Sequence, residues 1–184
     1  MKEKNETQHI FIFLSVIQIV KIAALQYSPK FGDKETNFRR IKEITNGFKA
    51  DILVLPELFA TGYTFISKQE AMELSEPKNG QTANFMREIA QNIDGLVIGG
   101  YAEYDQNTES IYNSAIAVNA KGSIENYRKI HLFNKEKLWF SPGNEGFIDI
   151  VVGMTDTGKH NVGRDCAPGT DSQWSVEHAV GRAV

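Results

Sequence analysis

The 184-residue sequence is short of several things, and each shortage removes a class of protein. It has one cysteine, Cys166, which excludes an intramolecular disulfide framework and fits a reducing compartment, so a cytoplasmic location is expected. The net charge is only −3, with no basic stretch for nucleic acid and no acidic tail. No apolar run reaches the roughly 20 residues that a membrane-spanning helix requires. The longest, residues 10–20, has the length of a signal-peptide core of about 7–15 residues. Lys2 and Lys4 are balanced by Glu3 and Glu6, however, and no small-x-small cleavage site follows. Residues 1–19 are therefore expected to be an extension ahead of the domain, and neither a membrane nor a nucleic-acid partner is expected.

The last shortage is local. Residues 153–184 contain no Ile, Leu, Phe or Tyr, and Gly153, Gly158, Gly163, Gly169 and Gly181 punctuate them. Such a segment has neither helix nor strand periodicity and reads as loop or disorder. Overall, 41% of the chain is hydrophobic, enough for one substantial core. The core therefore has to be built from residues 20–152.

What is there centres on DILVLPELFATGY, residues 51–63. Ile52, Leu53, Val54 and Leu55 form a short apolar run of the kind that makes a strand buried on both faces, and Pro56 ends it directly before Glu57. Open α/β sheets place their chemistry in the crevice beyond the strand ends, where Glu57 falls. A solvated loop carboxylate is the bland alternative for the same residue. Gly62 offers a flexible or left-handed position. Phe59, Tyr63 and Phe65 offer aromatic walls that could half-bury the carboxylate and strengthen it as a base.

In chain order, residues 20–28 read as another buried strand. A helix follows, with Phe38, Ile41, Ile44 and Phe48 as its apolar stripe and Asn46 and Gly47 as stop signals. Residues 51–55 then complete a strand-helix-strand unit of the length that parallel pairing requires. Residues 67–76 read as a short helix and 82–93 as a longer one with Phe85, Ile89 and Ile93 on one face. Residues 95–103 form a third strand, whose Gly99 and Gly100 mark a place where something approaches the backbone closely. Residues 112–118 and 123–132 flank NAKG as an antiparallel hairpin. Near its end Arg128 and Lys129 point to opposite faces, so one of the two should face inward and need a carboxylate such as Glu57. A solvent-facing lysine on an edge strand is the alternative for Lys129.

With Glu57 and Lys129 both in view, the chain resembles the nitrilase superfamily of carbon-nitrogen hydrolases. The resemblance rests on PELFATGY at 56–63, YNSA at 112–115 and YRKIHLFNKEKLWFSPGN at 127–144, with KIAALQYSPKFGDKETNFRRI at 21–41 similar to the family's first strand and helix. It implies an α/β fold of the α-β-β-α sandwich type, present only in its N-terminal portion over residues 20–152, and homo-oligomeric assembly for the complete fold. It implies a Glu-Lys-Cys site that hydrolyses a small amide or nitrile without metal or organic cofactor. By position Glu57 corresponds to the general base, Lys129 to the cation that stabilises the tetrahedral intermediate, and Glu136 to a second glutamate that orients substrate and base.

The resemblance stops before the nucleophile, for the family's apolar strand ending in cysteine has no counterpart. Cys166 stands in GRDCAPG, with Arg164 and Asp165 where that strand should be, and position alone does not make it the nucleophile. His160, Cys166 and His178 match no recognised metal-ligand spacing. The expectation is a partial, inactive hydrolase domain followed by a non-homologous tail over 153–184, of the kind a shifted frame or truncated gene product would give. One face of its sheet would then lie uncovered. Two alternatives stay open: an active enzyme whose tail delivers Cys166, and a non-enzymatic remnant that binds a partner through that face.

Overall fold

The computed structural model describes residues 20–146 and the backbone of two short strands at 151–154 and 160–163. The signal-like run at 10–19, Cys166 and His178 lie outside the described residues.

The chain opens with β1 (Ile22–Ala24), α1 (Lys34–Thr45) and β2 (Ile52–Val54), then α2 (Lys68–Leu74), α3 (Gln81–Ile93) and β3 (Leu96–Asp105). It continues with β4 (Ser110–Asn119), β5 (Ile124–Arg128), the single-turn α4 (Glu136–Trp139), β6 (Val151–Met154) and β7 (His160–Gly163). The first five strands form one sheet in sequential order. β1, β2 and β3 are parallel, as helical crossovers require, whereas β3, β4 and β5 run antiparallel. The NAKG connection is a hairpin loop as expected: Gly122 takes φ +87°, and Ser123 N donates to the Asn119 side chain. The strand into Lys129 is shorter than the pattern suggests, since β5 ends at Arg128. An antiparallel pair, β6 with β7, stands within 151–163, where the sequence shows no strand periodicity.

Alternation along β3 and β4 divides the sheet into two faces. On one, Val97, Tyr101, Ile116 and Val118 pack against Phe38 and Ile41 of α1 and Phe85, Met86 and Ile89 of α3. The stripe expected on α1 is corrected at its end. Phe38 and Ile41 are buried, but Ile44 is 52% exposed and Phe48 39% exposed. The buried position in the last turn belongs to Thr45, whose hydroxyl donates back to Ile41 O at 2.8 Å and so satisfies itself inside the helix. Phe48 lies past the helix end and follows no helical face.

On the other face Ala102 and Ile111 pack with Leu58, Phe65, Ala71 and Phe140, under α2 and α4. Further along the same face Leu96, Ile98 and Ala117 are all at or below 5% exposure, with Ile52 beside them. The centre of the sheet is therefore not the bare apolar surface expected from the sequence.

α3 starts at Gly80, which has no side chain to cap it. Glu76 supplies the cap from outside the helix, accepting from Thr82 N at 2.8 Å and from the Thr82 hydroxyl at 2.5 Å. A carboxylate is the favoured charge at a helix N-terminus, and Lys34 of α1 closes on it at 2.8 Å, tying the two helices together. A Cβ at residue 80 would lie 2.4 Å from Glu76 Oε2, so glycine is what admits the carboxylate.

Candidate active site

Glu57 is delivered by a tight turn after β2, and that turn is fastened to one glycine. Gly100 N donates to Pro56 O at 3.3 Å, and Gly100 O accepts from Phe59 N at 3.2 Å, so its two backbone groups bracket Glu57 and Leu58. A Cβ on Gly100 would stand 2.8 Å from Glu57 Cα and 2.9 Å from Leu58 N. The close approach expected at the paired glycines is thus the base-bearing turn itself, with the Phe59 ring seated on Gly99 next to it. Leu58 is held at φ +49° and is fully buried, so packing of its side chain sustains a left-handed conformation that leucine rarely adopts.

The aromatic walls expected around Glu57 are corrected. Phe59 and Phe65 are buried in the two core clusters, and the Glu57 side chain remains 37% exposed. Tyr63 instead donates its hydroxyl to Glu136 Oε1.

Lys129 follows β5 directly. Its N–H donates to Asn113 O at 2.9 Å and its carbonyl accepts from Gly143 N at 2.9 Å, so the loop closed by Pro142 and Gly143 pins its backbone. Its ammonium lies 2.9 Å from Glu57 Oε1 and 3.0 Å from Glu136 Oε1. Glu136, at the first turn of α4, has a side chain only 1% exposed. Besides Lys129 and Tyr63 it accepts from Phe133 N at 2.7 Å and Asn113 Nδ2 at 3.2 Å. Burial pushes its carboxyl above the ordinary value; the Phe133 N–H opposes that shift and the negative charge of Glu57 adds to it. The three residues singled out in the sequence, Glu57, Lys129 and Glu136, meet in one cluster on the second face of the sheet.

Arg128 points the other way, and the expectation that only one of the two cations turns inward is corrected. Its guanidinium binds Glu103 through Nε and Nη2 at 3.1 and 2.6 Å and reaches Asp105 at 2.9 Å, while it lies over the Tyr112 ring at 4.1 Å. Glu103 is buried on the face opposite Glu57 and also accepts from Ser114 and Asn126. Burial alone would raise its carboxyl, but the hydrogen bonds from Arg128, Ser114 and Asn126 and the Arg128 charge together hold it below the ordinary range. Two adjacent cations thus serve two separate carboxylate sets on the two faces of one sheet.

Asn113 and Tyr63 are the site residues that sequence reasoning missed as such. Tyr63 was visible only as an aromatic. Asn113 had one signal, its place in the YNSA stretch. A cleft of about 350 Å³ opens beside Glu136, lined by Tyr63, Phe65, Phe133 and Trp139 among others.

The arrangement offers a partly exposed carboxylate, an ammonium against it and a buried carboxylate behind both. The described residues include no thiol near it. Comparison with known proteins agrees with the fold. The model of the carbon-nitrogen hydrolase family matches residues 21–170, running past residue 152 and including Cys166. A nitrilase of Pyrococcus abyssi is 35% identical over 144 residues, 76% of this chain and 54% of that protein. The protein N-terminal amidase of Saccharomyces cerevisiae is 30% identical over 138 residues, 70% of this chain and 30% of its own length. A crystal structure of an N-terminal amidase superposes with a TM-score of 0.65 at 29% identity, covering 70% of this chain and 32% of that one. The chain spans about half or less of the length of the curated relatives it matches.

Proposed function

Because the chain belongs to the carbon-nitrogen hydrolase family, we propose that Glu57, Lys129 and Glu136 form the base-and-cation half of a site for hydrolysing small amides or nitriles. The observation that carries this reading is the Lys129 ammonium seated between two carboxylate oxygens, at 2.9 and 3.0 Å. The nitrilase and amidase names of the matched relatives support both kinds of carbon-nitrogen substrate.

The two carboxylates divide the work. Glu136 receives four donors from the described residues and sits buried, so it is an anchor that orients Lys129 and the groups around it. Among the described residues Glu57 takes its hydrogen bonds on Oε1, and it is partly open to solvent, which leaves Oε2 as the proton acceptor. In the reaction Glu57 takes the proton of a cysteine thiol, and the thiolate attacks the substrate carbon. Lys129 offsets the charge that builds on the substrate heteroatom, and with an amide Glu57 returns the proton to the departing ammonia. A nitrile first gives a thioimidate, which takes up one water and then releases ammonia to reach the same thioester. Water deprotonated by Glu57 then cleaves the thioester to the acid.

The thiol is the part for which this chain has no convincing donor. Cys166 is the only cysteine among the 184 residues, and its GRDCAPG setting lacks an apolar strand to fix it. The chain as it stands therefore binds small amides at Glu57 and Lys129 but does not turn them over. The test adds small aliphatic amides and nitriles to the isotope-labelled full chain and follows ammonia release in parallel. Shifts confined to residues around Glu57, Asn113 and Lys129, lost in Lys129→Met, are expected with no ammonia. No shift at those residues at saturating amide would overturn the site. Ammonia release that Cys166→Ala abolishes would overturn the inactivity and make Cys166 the nucleophile.

A further inference from the structure

We infer that Asn113 is the positioning residue that holds Glu57 and Glu136 in one site, as a neutral second donor shared by both carboxylates. The inference rests on the reading of this cluster as the base-and-cation half of a hydrolase site, and it assigns a part to a residue that the reading leaves out.

Glu57 and Glu136 are brought together across 79 positions of sequence, and each places its Oε1 on the same ammonium. Lys129 offers one positive charge to two negative ones, so the pair repels unless something else holds it. Asn113 is that second holder. Its side chain is buried, and Nδ2 donates to Glu57 Oε1 at 2.6 Å and to Glu136 Oε1 at 3.2 Å. A primary amide carries two N–H groups in one plane, one for each carboxylate. The amide must present nitrogen here, since its oxygen would face two carboxylate oxygens. The same residue sets the cation, because Asn113 O accepts from Lys129 N at 2.9 Å. β4 fixes Asn113 rigidly, pairing it with Ala102 of β3.

The choice of a neutral donor has a chemical consequence. A second cation at this position would neutralise the cluster and favour both carboxylates as anions, which weakens Glu57 as a proton acceptor. An amide fixes their positions while leaving an excess negative charge among the described residues, so the pair can take up one proton. An aspartate of the same shape at 113 would lose the donors and add a third negative charge.

The test needs no turnover, so it is separable from the hydrolase reading. In the full chain with carbon-labelled glutamate, the carboxyl resonance of Glu136 is followed against pH in the native protein, in Asn113→Ala and in Asn113→Asp. Loss of a hydrogen bond to a charged group moves a midpoint by about one pH unit, so that of Glu136 is expected to rise by that much in Asn113→Ala and further in Asn113→Asp. Midpoints unchanged in both folded variants would overturn the inference. If neither variant folds, the native protein still decides. The side-chain amide protons of Asn113 must shift with the same midpoint as the Glu136 carboxyl, and amide protons indifferent to pH through that midpoint overturn the assignment. Loss of amide binding with the titration coupling intact would instead count against the hydrolase reading alone.

Discussion

Glu57 and Glu136 accept hydrogen bonds from the same two nitrogens, Lys129 Nζ and Asn113 Nδ2, although one glutamate follows a parallel strand and the other opens a single-turn helix. Positions set by distant parts of the chain converge on one ammonium. Changes there should report on stability as well as on ligand binding.

Removing the ammonium is the first such change. Lys129→Met leaves the buried Glu136 facing Glu57 without a counter-charge. A loss of about 1–3 kcal/mol at pH 7 is expected in urea unfolding, limited by the partial exposure of Lys129 and Glu57. The loss should shrink near pH 4, where protonation removes the repulsion. An equal loss at both pH values would show that Lys129 acts through packing alone.

Glu136 itself sets a pH trend. Its folded carboxyl is raised by burial above the ordinary 4.5, so the native state holds a proton that the unfolded chain releases. Its contribution to stability is therefore full below about 4.5 and is lost as pH rises through the folded value. Unfolding free energy measured from pH 4 to pH 7 should fall more steeply for the native chain than for Glu136→Gln. The difference in slope is the readout, because the glutamine also alters the hydrogen bonding. Parallel curves would contradict the raised carboxyl.

On the opposite face the sign reverses. Glu103 is held below the ordinary range, so its contribution is present above the unfolded value and disappears as pH falls through the folded one. Arg128→Met strands a buried carboxylate and should cost about 3–5 kcal/mol. Arg128→Lys should recover only part of that, since an ammonium cannot reproduce the two-nitrogen grip on Glu103. Full recovery by lysine in thermal melts would refute the geometric argument.

Gly100→Ala tests the seat of the base. The added methyl would meet backbone atoms of Glu57 and Leu58 below 3 Å, and backbone cannot swing aside as a side chain can. A destabilisation of about 1–3 kcal/mol is expected, with amide resonances moving at residues 56–59. A variant as stable as the parent with those resonances unmoved would place the turn elsewhere.

Much of this was legible in the sequence because it follows from apolar runs and punctuation. The strand ending at Pro56, the helix through Phe85, Ile89 and Ile93, and the NAKG hairpin each carry a local signal, and the structure has all three. Gly99 and Gly100 announced a close approach without naming what approaches. The errors come where tertiary context overrides pattern. Ile44 fits a helical stripe, yet Thr45 occupies the buried place because it satisfies its own hydroxyl. Phe59 and Phe65 looked like walls for Glu57 and went to the core. Asn113 and the Glu103–Arg128 pair gave no periodic signal, since a polar residue buried in a strand is justified only by partners far away in sequence.

Among the described residues, Glu136 is spaced 73, 23, 7 and 3 positions from the donors it accepts, Tyr63, Asn113, Lys129 and Phe133, and these four precede it in the chain. A ribosome that makes this protein therefore releases the hydroxyl, the amide, the ammonium and the backbone N–H before it releases the carboxylate they will hold. Of these five described groups the buried carboxylate is thus the last to emerge, and the other four are already in the nascent chain when it does.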